Sequence, residues 1–383
     1  MNMKKSILGA VILGATVALA APAMALDVTP YGAIRIGTWY TSNTHYSAVG
    51  ASQHDSDFSL DLQGDSLVGM RVKEGDFFAL AELGAYNPKN RSGGVELRML
   101  FGDWNFGEGK LRVGYLPSPY VFRSEQAFDA DGGFNSYGSL YDGRYAQIKV
   151  SMNNGFYLAM MKPAPGLTRG VVNSTTNVSG SFANTPYNAT ATTYAVTSTD
   201  YDTYIPKIVA GYEGQAGTVK YGGGVAGNYY KVTDTIATPA NLSANITSLM
   251  GFAHTTVDLN PVELKFHLYG GQNLGDLMSN GAATAGSYYS GGENSYTVGG
   301  FGQIGYTASN KVKVYAGVSY ETSKNDIYVT DDNKMAAFAN LQYQVTKNVK
   351  IVPEVTMLND LDSSTGTKEP RIYAAGVKWE MAF

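Results

Sequence analysis

The chain has no cysteine, so disulfides, thiol catalysis and Cys-ligated zinc are excluded. Histidine is scarce, and His45, His54, His254 and His267 have no metal-ligand spacing. Charged residues make up only 16% of the sequence. Bases are the minority: without Lys4 and Lys5, 26 basic residues (28 minus 2) face 32 acidic ones. A mildly acidic chain lacks the basic stripe that nucleic acid requires, so no nucleic-acid partner is expected. Beyond the N-terminus no apolar run is long enough to cross a bilayer as a helix, and amphipathic helical stretches are rare.

The N-terminus is different. Lys4 and Lys5 precede an apolar, Ala-rich run from Ile7 to Ala21, and Ala23-Met24-Ala25 offers small residues before Leu26. This is the pattern of a cleaved secretory signal peptide, residues 1–25, leaving one domain over 26–383. The remainder is rich in Gly and Tyr, 45 and 28 residues in all, and dense in turns, which points to an all-β chain.

Apolar and polar residues alternate along it. Val262, Leu264, Phe266 and Leu268 interleave with Glu263, Lys265, His267 and Tyr269, and Val312 to Glu321 repeats the pattern. Strand side chains point alternately to two faces, so each segment has one apolar and one charged face. From Phe58 to Lys73 the phase survives Gly64-Asp65-Ser66, which predicts one long strand and no hairpin. Short turns are expected at 74–76, 106–109, 153–155, 214–217, 259–261, 308–310 and 346–348. Longer connections include 42–55, 120–143, 163–200, 231–246 and 272–294. Counting from Tyr31 gives about sixteen strands, with weak alternation over 156–210. Short connections on one rim and long ones on the other describe an antiparallel barrel of a Gram-negative outer membrane.

A soluble sandwich would also alternate, but aliphatic residues would dominate its buried faces. Here one face carries small and aromatic residues (Val219, Tyr221, Gly223, Val225) and the other carries charges in mid-strand, as lipid outside and water inside demand. Tyr31, Trp39, Tyr40, Trp104, Tyr115, Tyr306, Tyr320 and Trp379 are placed for interfacial girdles. At the C-terminus Tyr373, Ala375, Val377, Trp379, Met381 and Phe383 alternate in phase, resembling the signal read by the outer-membrane assembly machinery.

With Val28-Thr29-Pro30-Tyr31-Gly32 at its start, the tight turn at Gly75, strands 77–86, 95–104 and 110–116, and then a long third loop, the chain resembles a general bacterial porin. That resemblance covers essentially the whole chain after residue 25. It implies a homotrimer among outer-membrane lipid and lipopolysaccharide, passively conducting small hydrophilic solutes and ions. It also implies a third loop, 120–143, folded into the barrel as a constriction, with Glu125, Asp129 and Asp131 facing wall arginines Arg35, Arg71, Arg98 and Arg112. The family's Pro-Glu-Phe-Gly-Gly run is replaced here by Phe128-Asp129-Ala130-Asp131-Gly132-Gly133-Phe134.

Gly222 to Gly227 matches a dinucleotide-binding pattern, but it sits in a strand with no following helix, so it reads as barrel wall. Asp129-x-Asp131-Gly132 echoes part of a calcium loop without the full spacing. No cofactor is expected, and calcium is the one left open. A barrel phospholipase would need a Ser–His constellation around His254 or His267 that no motif supports, so no enzyme activity is expected. A channel selective for a sugar, phosphate or organic anion, with Tyr229-Tyr230 and Tyr288-Tyr289 as a stacking slide, and an adhesive or structural surface barrel are the rivals.

Overall fold

The computed structural model describes residues 26–46, 52–85, 95–128, 133–134, 137–163, 173–174, 192–193, 199–234, 242–278, 287–289 and 292–383. The N-terminal segment 1–25 and Asp129 and Asp131 lie outside them. The chain forms a closed antiparallel barrel of sixteen strands. In order these are β1 (Asp27–Tyr46), β2 (Ser52–Leu62 and Leu67–Glu74), β3 (Phe77–Ala85), β4 (Val95–Asn105), β5 (Gly109–Pro117), β6 (Arg144–Met152), β7 (Phe156–Met161) and β8 (Thr199–Thr203 and Lys207–Ala216). They continue as β9 (Val219–Asp234), β10 (Leu242–Asp258), β11 (Val262–Gln272), β12 (Ser295–Thr307), β13 (Val312–Asn325), β14 (Asp332–Thr346), β15 (Val349–Asn359) and β16 (Arg371–Ala382). One helical turn, α1 (Leu274–Leu277), lies in the connection after β11.

Each strand pairs with its sequence neighbours, and β16 returns to β1 from Ala33↔Ala382 to Thr44↔Arg371. Gly32 and Phe383 exchange backbone hydrogen bonds of 3.1 and 3.0 Å at the seam. Closure leaves no sheet edge to be satisfied by water, the condition for crossing hydrocarbon with strands. Seven tight turns join β2–β3, β4–β5, β6–β7, β8–β9, β10–β11, β12–β13 and β14–β15, all on one rim. Gly75, at φ +53° with open space around it, shows why such turns use glycine. Several connections on the other rim are shorter than expected. Strand continues to Tyr46 and resumes at Ser52, and again from Asp234 to Leu242, because polar strand pairs extend above the apolar belt.

The faces sort as alternation demands. Phe58, Leu60, Val68, Phe266, Leu268, Val318, Val355 and Met381 are exposed on the outside, as are Tyr373, Trp379 and Phe383 of β16. In β2 the strand is broken at 63–66, yet both halves pair with β1, from Ile36↔Leu62 to Ala33↔Leu67. Four residues face two, an insertion of two, so the in–out phase is kept. The same two-residue insertion splits β8, where Thr203↔Tyr230 gives way to Ile208↔Gly227. Two expected girdle residues are corrected. Tyr31 and Trp39 stand at odd positions of β1, in phase with Arg35, and point inward: Tyr31 donates to Glu82 at 2.9 Å, and Trp39 is 5% exposed beneath Phe128.

The interior is unequally filled. Loop and wall side chains pack between β6 and β12 into an apolar cluster that includes Tyr120, Leu140, Tyr157, Met161, Val209, Met250, Phe252, Leu274 and Leu277. Each such side chain, once buried, contributes roughly 1.5–3 kcal/mol relative to exposure. This half of the barrel is packed like a soluble core.

Candidate functional site: an inward loop beside a basic wall

The third long loop, 118–143, joins β5 to β6 and turns into the barrel. Its path is written in its contacts. Tyr120 meets Phe252 of β10, with ring centres 5.8 Å apart. Phe122 stacks on His254 at 4.5 Å and on Phe301 of β12 at 5.8 Å. Glu125 receives Lys265 Nζ of β11 at 2.6 Å and Gln342 of β14 at 3.2 Å, while its backbone N–H donates to Gln303 at 2.7 Å. The backbone N–H groups of Ala127 and Phe128 donate to the two carboxylate oxygens of Glu354 on β15, at 2.6 and 2.9 Å. Phe128 finally meets Trp39 edge-on at 5.1 Å. The loop therefore runs along the wall from β10 to β1.

Both strand insertions serve this loop. The one in β2 turns Gln63 inward, where its amide donates to the Ala127 carbonyl at 3.1 Å. The one in β8 precedes Lys207, whose ammonium is fully buried 2.7 Å from Asp142 at the loop's end. Asp142 also accepts from the Tyr120 and Tyr145 hydroxyls, the latter at 2.6 Å, and from Ser118 at 3.4 Å. On the returning limb, Gly138 at φ +104° lies against wall backbone. A Cβ there would stand 2.7 Å from the Gly300 carbonyl oxygen and 2.8 Å from that of Tyr320. Only glycine lets the loop lie this close.

Burial opposes ionisation of Glu125, but the charge and hydrogen bond of Lys265 and the hydrogen bond from Gln342 outweigh it. Its carboxyl is held below the usual carboxylate value. The geometry differs from the expected acid-against-arginine arrangement at this residue. Glu125 turns to the loop's own wall, since Lys265 supplies a cation there. Asp129 and Asp131 lie outside the described residues.

The four wall arginines all point inward; Arg35, Arg71 and Arg112 lie on the arc the loop leaves bare, and Arg98 is buried beside Ser118 and Val121 at the loop's stem. Arg35 bonds Glu380 and lies 3.4 Å from Asp65, which also takes Lys378 at 2.7 Å; Lys350 reaches Glu380 at 3.3 Å. Arg71 lies over the Tyr31 ring at 4.2 Å. Arg98 donates to Glu82 at 2.9 Å and to the Gly64 carbonyl at 2.6 Å. Arg112 grips Asp103 with two bonds of 2.6 and 2.7 Å, beside Lys110; Lys149 of β6 lies 4.0 Å over the Tyr157 ring. Among the described residues in contact with these arginines, the bases outnumber the acids they share, Asp65, Glu82, Asp103 and Glu380. Asp57 and Asp61 stand higher on β2, in phase with the lumen.

Sequence reasoning missed Asp142, Lys207 and Glu354, because a single inward acid or a lysine after Pro206 carries no local signal of a partner far along the chain. The two tyrosine pairs do not form a slide: Tyr230 is fully buried with Val232 and Ile246, donating to Asp276 at 3.1 Å, and Tyr288 is buried as well. Among the described residues no group of three His, Asp or Glu is placed to hold a metal ion.

A closed sixteen-stranded barrel with an apolar exterior, a charged interior arc and an inward third loop has the fold of the outer-membrane porins. The comparisons with solved structures agree. The outer membrane channel DcaP of Acinetobacter baumannii superposes with a TM-score of 0.68 at 15% identity, covering 94% of this chain and 99% of that one. The anion-selective porin from Comamonas acidovorans gives 0.57 at 13% identity over 94% and 100%. OmpT of Vibrio cholerae, in its trimer form, gives 0.56 at 12% identity over 94% and 100%. No protein-family model and no curated protein matches the sequence.

Proposed function

We propose that the protein is an outer-membrane channel through which small hydrophilic solutes and ions diffuse passively, with no chemical step and no cofactor. The observation that carries this reading is the unequal interior. A loop bonded to one wall by Glu125, Ala127 and Phe128 leaves the opposite arc charged and polar around a small apolar cluster of Leu80, Phe101 and Leu116. A barrel filled all round would be a structural protein; one lined by charge on an open side supports an aqueous path. The bases gathered around these four arginines favour anions over cations, and one of the solved neighbours is an anion-selective porin. Residues 1–25 would direct export and be removed, and Tyr373, Val377, Trp379, Met381 and Phe383 would be read by the assembly machinery. In the membrane the barrel would sit among lipid and lipopolysaccharide as a homotrimer, a state in which one neighbour is described.

Planar-bilayer recording tests the reading. Purified protein should insert with stepwise current increases, and in a KCl gradient the reversal potential should take the sign of chloride preference. A barrel that inserts without current removes the channel assignment. Current with cation preference removes only the anion assignment.

A further inference from the structure

The wall that faces lipid is not uniformly bulky. The outward register row Phe266↔Gly302↔Val318↔Ala337↔Met357↔Tyr373 crosses β11 to β16. In the row beside it, Ala316 and Ala339 are small as well. Together the rows form a groove of about 650 Å³, and among its described lining residues only Gln303, Thr356 and the Tyr373 hydroxyl are polar.

The groove climbs as it crosses the wall. Phe266 lies near the first residue of β11, at the short-turn rim, whereas Tyr373 lies near the first residue of β16, at the long-loop rim. Neighbouring strands about 4.8 Å apart give a track of roughly 24 Å across these strands. At a strand tilt of about 40° that track rises roughly 15 Å, the hydrocarbon depth of one leaflet.

Its upper end carries a cation. Arg371 follows the outward phase of Tyr373, and its guanidinium lies 5.2 Å over that ring. The Arg371 Nε is buried and has no hydrogen-bond partner. Its cross-strand neighbours, Thr44 and Asn359, are uncharged. Hydrocarbon gains dispersion contacts where small residues leave a wall recessed. A guanidinium with a spare donor at the edge of the apolar belt suits phosphate oxygens. A cation at the head of an apolar track favours an anionic lipid over the oily wall of a second copy.

We infer that this groove seats one acyl chain of a phosphorylated lipid from the leaflet facing the long loops, with a headgroup phosphate on Arg371. The inference rests on the outer-membrane reading but not on conduction, since the occupant lies outside the passage. A chain laid across β11 to β16 would brace that wall, because a lipid held only by the folded barrel stabilises it.

The test uses the whole purified protein, stripped of lipid in neutral detergent. Lipid A, the phosphorylated anchor of lipopolysaccharide, is the probe, and dephosphorylated lipid A is the control. Native mass spectrometry should show the parent retaining lipid A more tightly than the control, and its unfolding temperature should rise as lipid A is added. Arg371→Gln should raise the lipid A concentration for half-occupancy about tenfold, as expected for one lost charge-assisted contact, and bring the two lipids level. Ala339→Phe fills the groove from an exposed position and should lower retention of both lipids. Heat-dependent gel migration establishes that each variant is folded; should Ala339→Phe fail, Ala337→Leu fills the groove less. Unchanged lipid A retention in either folded variant overturns the site, as does equal retention of the two lipids by the parent. An altered oligomeric state in the folded groove variant, with lipid retention unchanged, gives the groove to a second copy instead. Lipid binding without channel current leaves the site standing and removes the passage.

Discussion

The two halves of the barrel interior use the same strand geometry for opposite ends. On β7 the inward residues Tyr157, Ala159 and Met161 are 5%, 0% and 1% exposed, buried under the loops, while Phe156, Leu158 and Met160 face outward at 60%, 51% and 43%. On β5 and β6 the inward residues include Arg112 and Lys149, with apolar Val113 and Ile148 outside. Lipid sets the outer face of both halves. The inner face is set by what covers it, loop on one side and water on the other. The third loop is thus the partition between a dry half and a wet half, and its anchors decide where that partition stands.

The comparison is broken most severely by moving charge across it. Met250→Glu places a carboxylate in the dry half, where its cross-strand neighbours Ala226 and Gly271 offer no cation to receive it, a cost of several kcal/mol. Ser151→Glu, also inward but on the bare arc, should fold normally. Urea unfolding in lipid vesicles should separate the two variants widely; equal stability would mean the dry half is hydrated. Next in size is Asp142→Ala, which leaves the buried Lys207 ammonium without its partner. Breaking one side of a buried ion pair costs about 3–5 kcal/mol. The variant should unfold at lower urea and show a noisier current, since the loop's stem is released.

Glu354→Ala acts at the loop's far end. It strips acceptors from the Ala127 and Phe128 N–H groups and from Asn340, each lost bond being worth about 1–3 kcal/mol where the donor stays buried. Barrel closure does not involve these bonds, so the main readout is the unitary current, which should fluctuate between levels as the loop lifts. A steady current of ordinary size would show that the other contacts suffice.

How far these anchors could be read in advance follows from periodicity. Two-faced strands such as Val262 to Tyr269 declare themselves, and the residue count between turns gives sixteen. Within 156–210, β7 and the start of β8 are obscure for a physical reason: where a strand has lipid on one side and a packed loop on the other, both faces are apolar and the alternation fades. The long strand across Gly64-Asp65-Ser66 kept its phase because the insertion is of two residues, but that also hid the insertion. Phase puts Arg35, Arg71, Arg98 and Arg112 on the charged face, while their role as a wall facing the loop came from the family resemblance. Which acid each would meet was not legible, since Glu354 and Asp142 reach the loop and β8 through contacts of long sequence separation.

Acid should loosen the partition in a defined direction. The Glu125 carboxyl titrates below its ordinary value of 4.5 in the folded barrel. A depressed folded value means that its contribution is fully present above the unfolded value and is lost as pH falls through the folded one. Loop anchoring at this point should hold at neutral and mildly acidic pH and weaken only below about 4.5. Current noise that rises below that pH in the parent protein should be present at all pH values in Glu125→Gln, which has lost the ion pair with Lys265. A pH-independent noise level in both would remove Glu125 from the anchors.

The smallest effect tests the wet side alone. Arg71→Gln removes one cation from the bare arc and its contact with the Tyr31 ring, worth about 0.5–1 kcal/mol at a solvated site. The Tyr31 hydroxyl still donates to Glu82, so the local wall should stand. The reversal potential in a KCl gradient should move slightly toward cations, and the shift should shrink as salt screens the remaining arginines. Arg112→Gln would be less clean, because it also releases Asp103 to carry an uncompensated negative charge. If Arg71→Gln leaves the reversal potential unchanged at low salt while Arg112→Gln moves it, permeating ions follow the β4–β6 side of the arc and bypass β2.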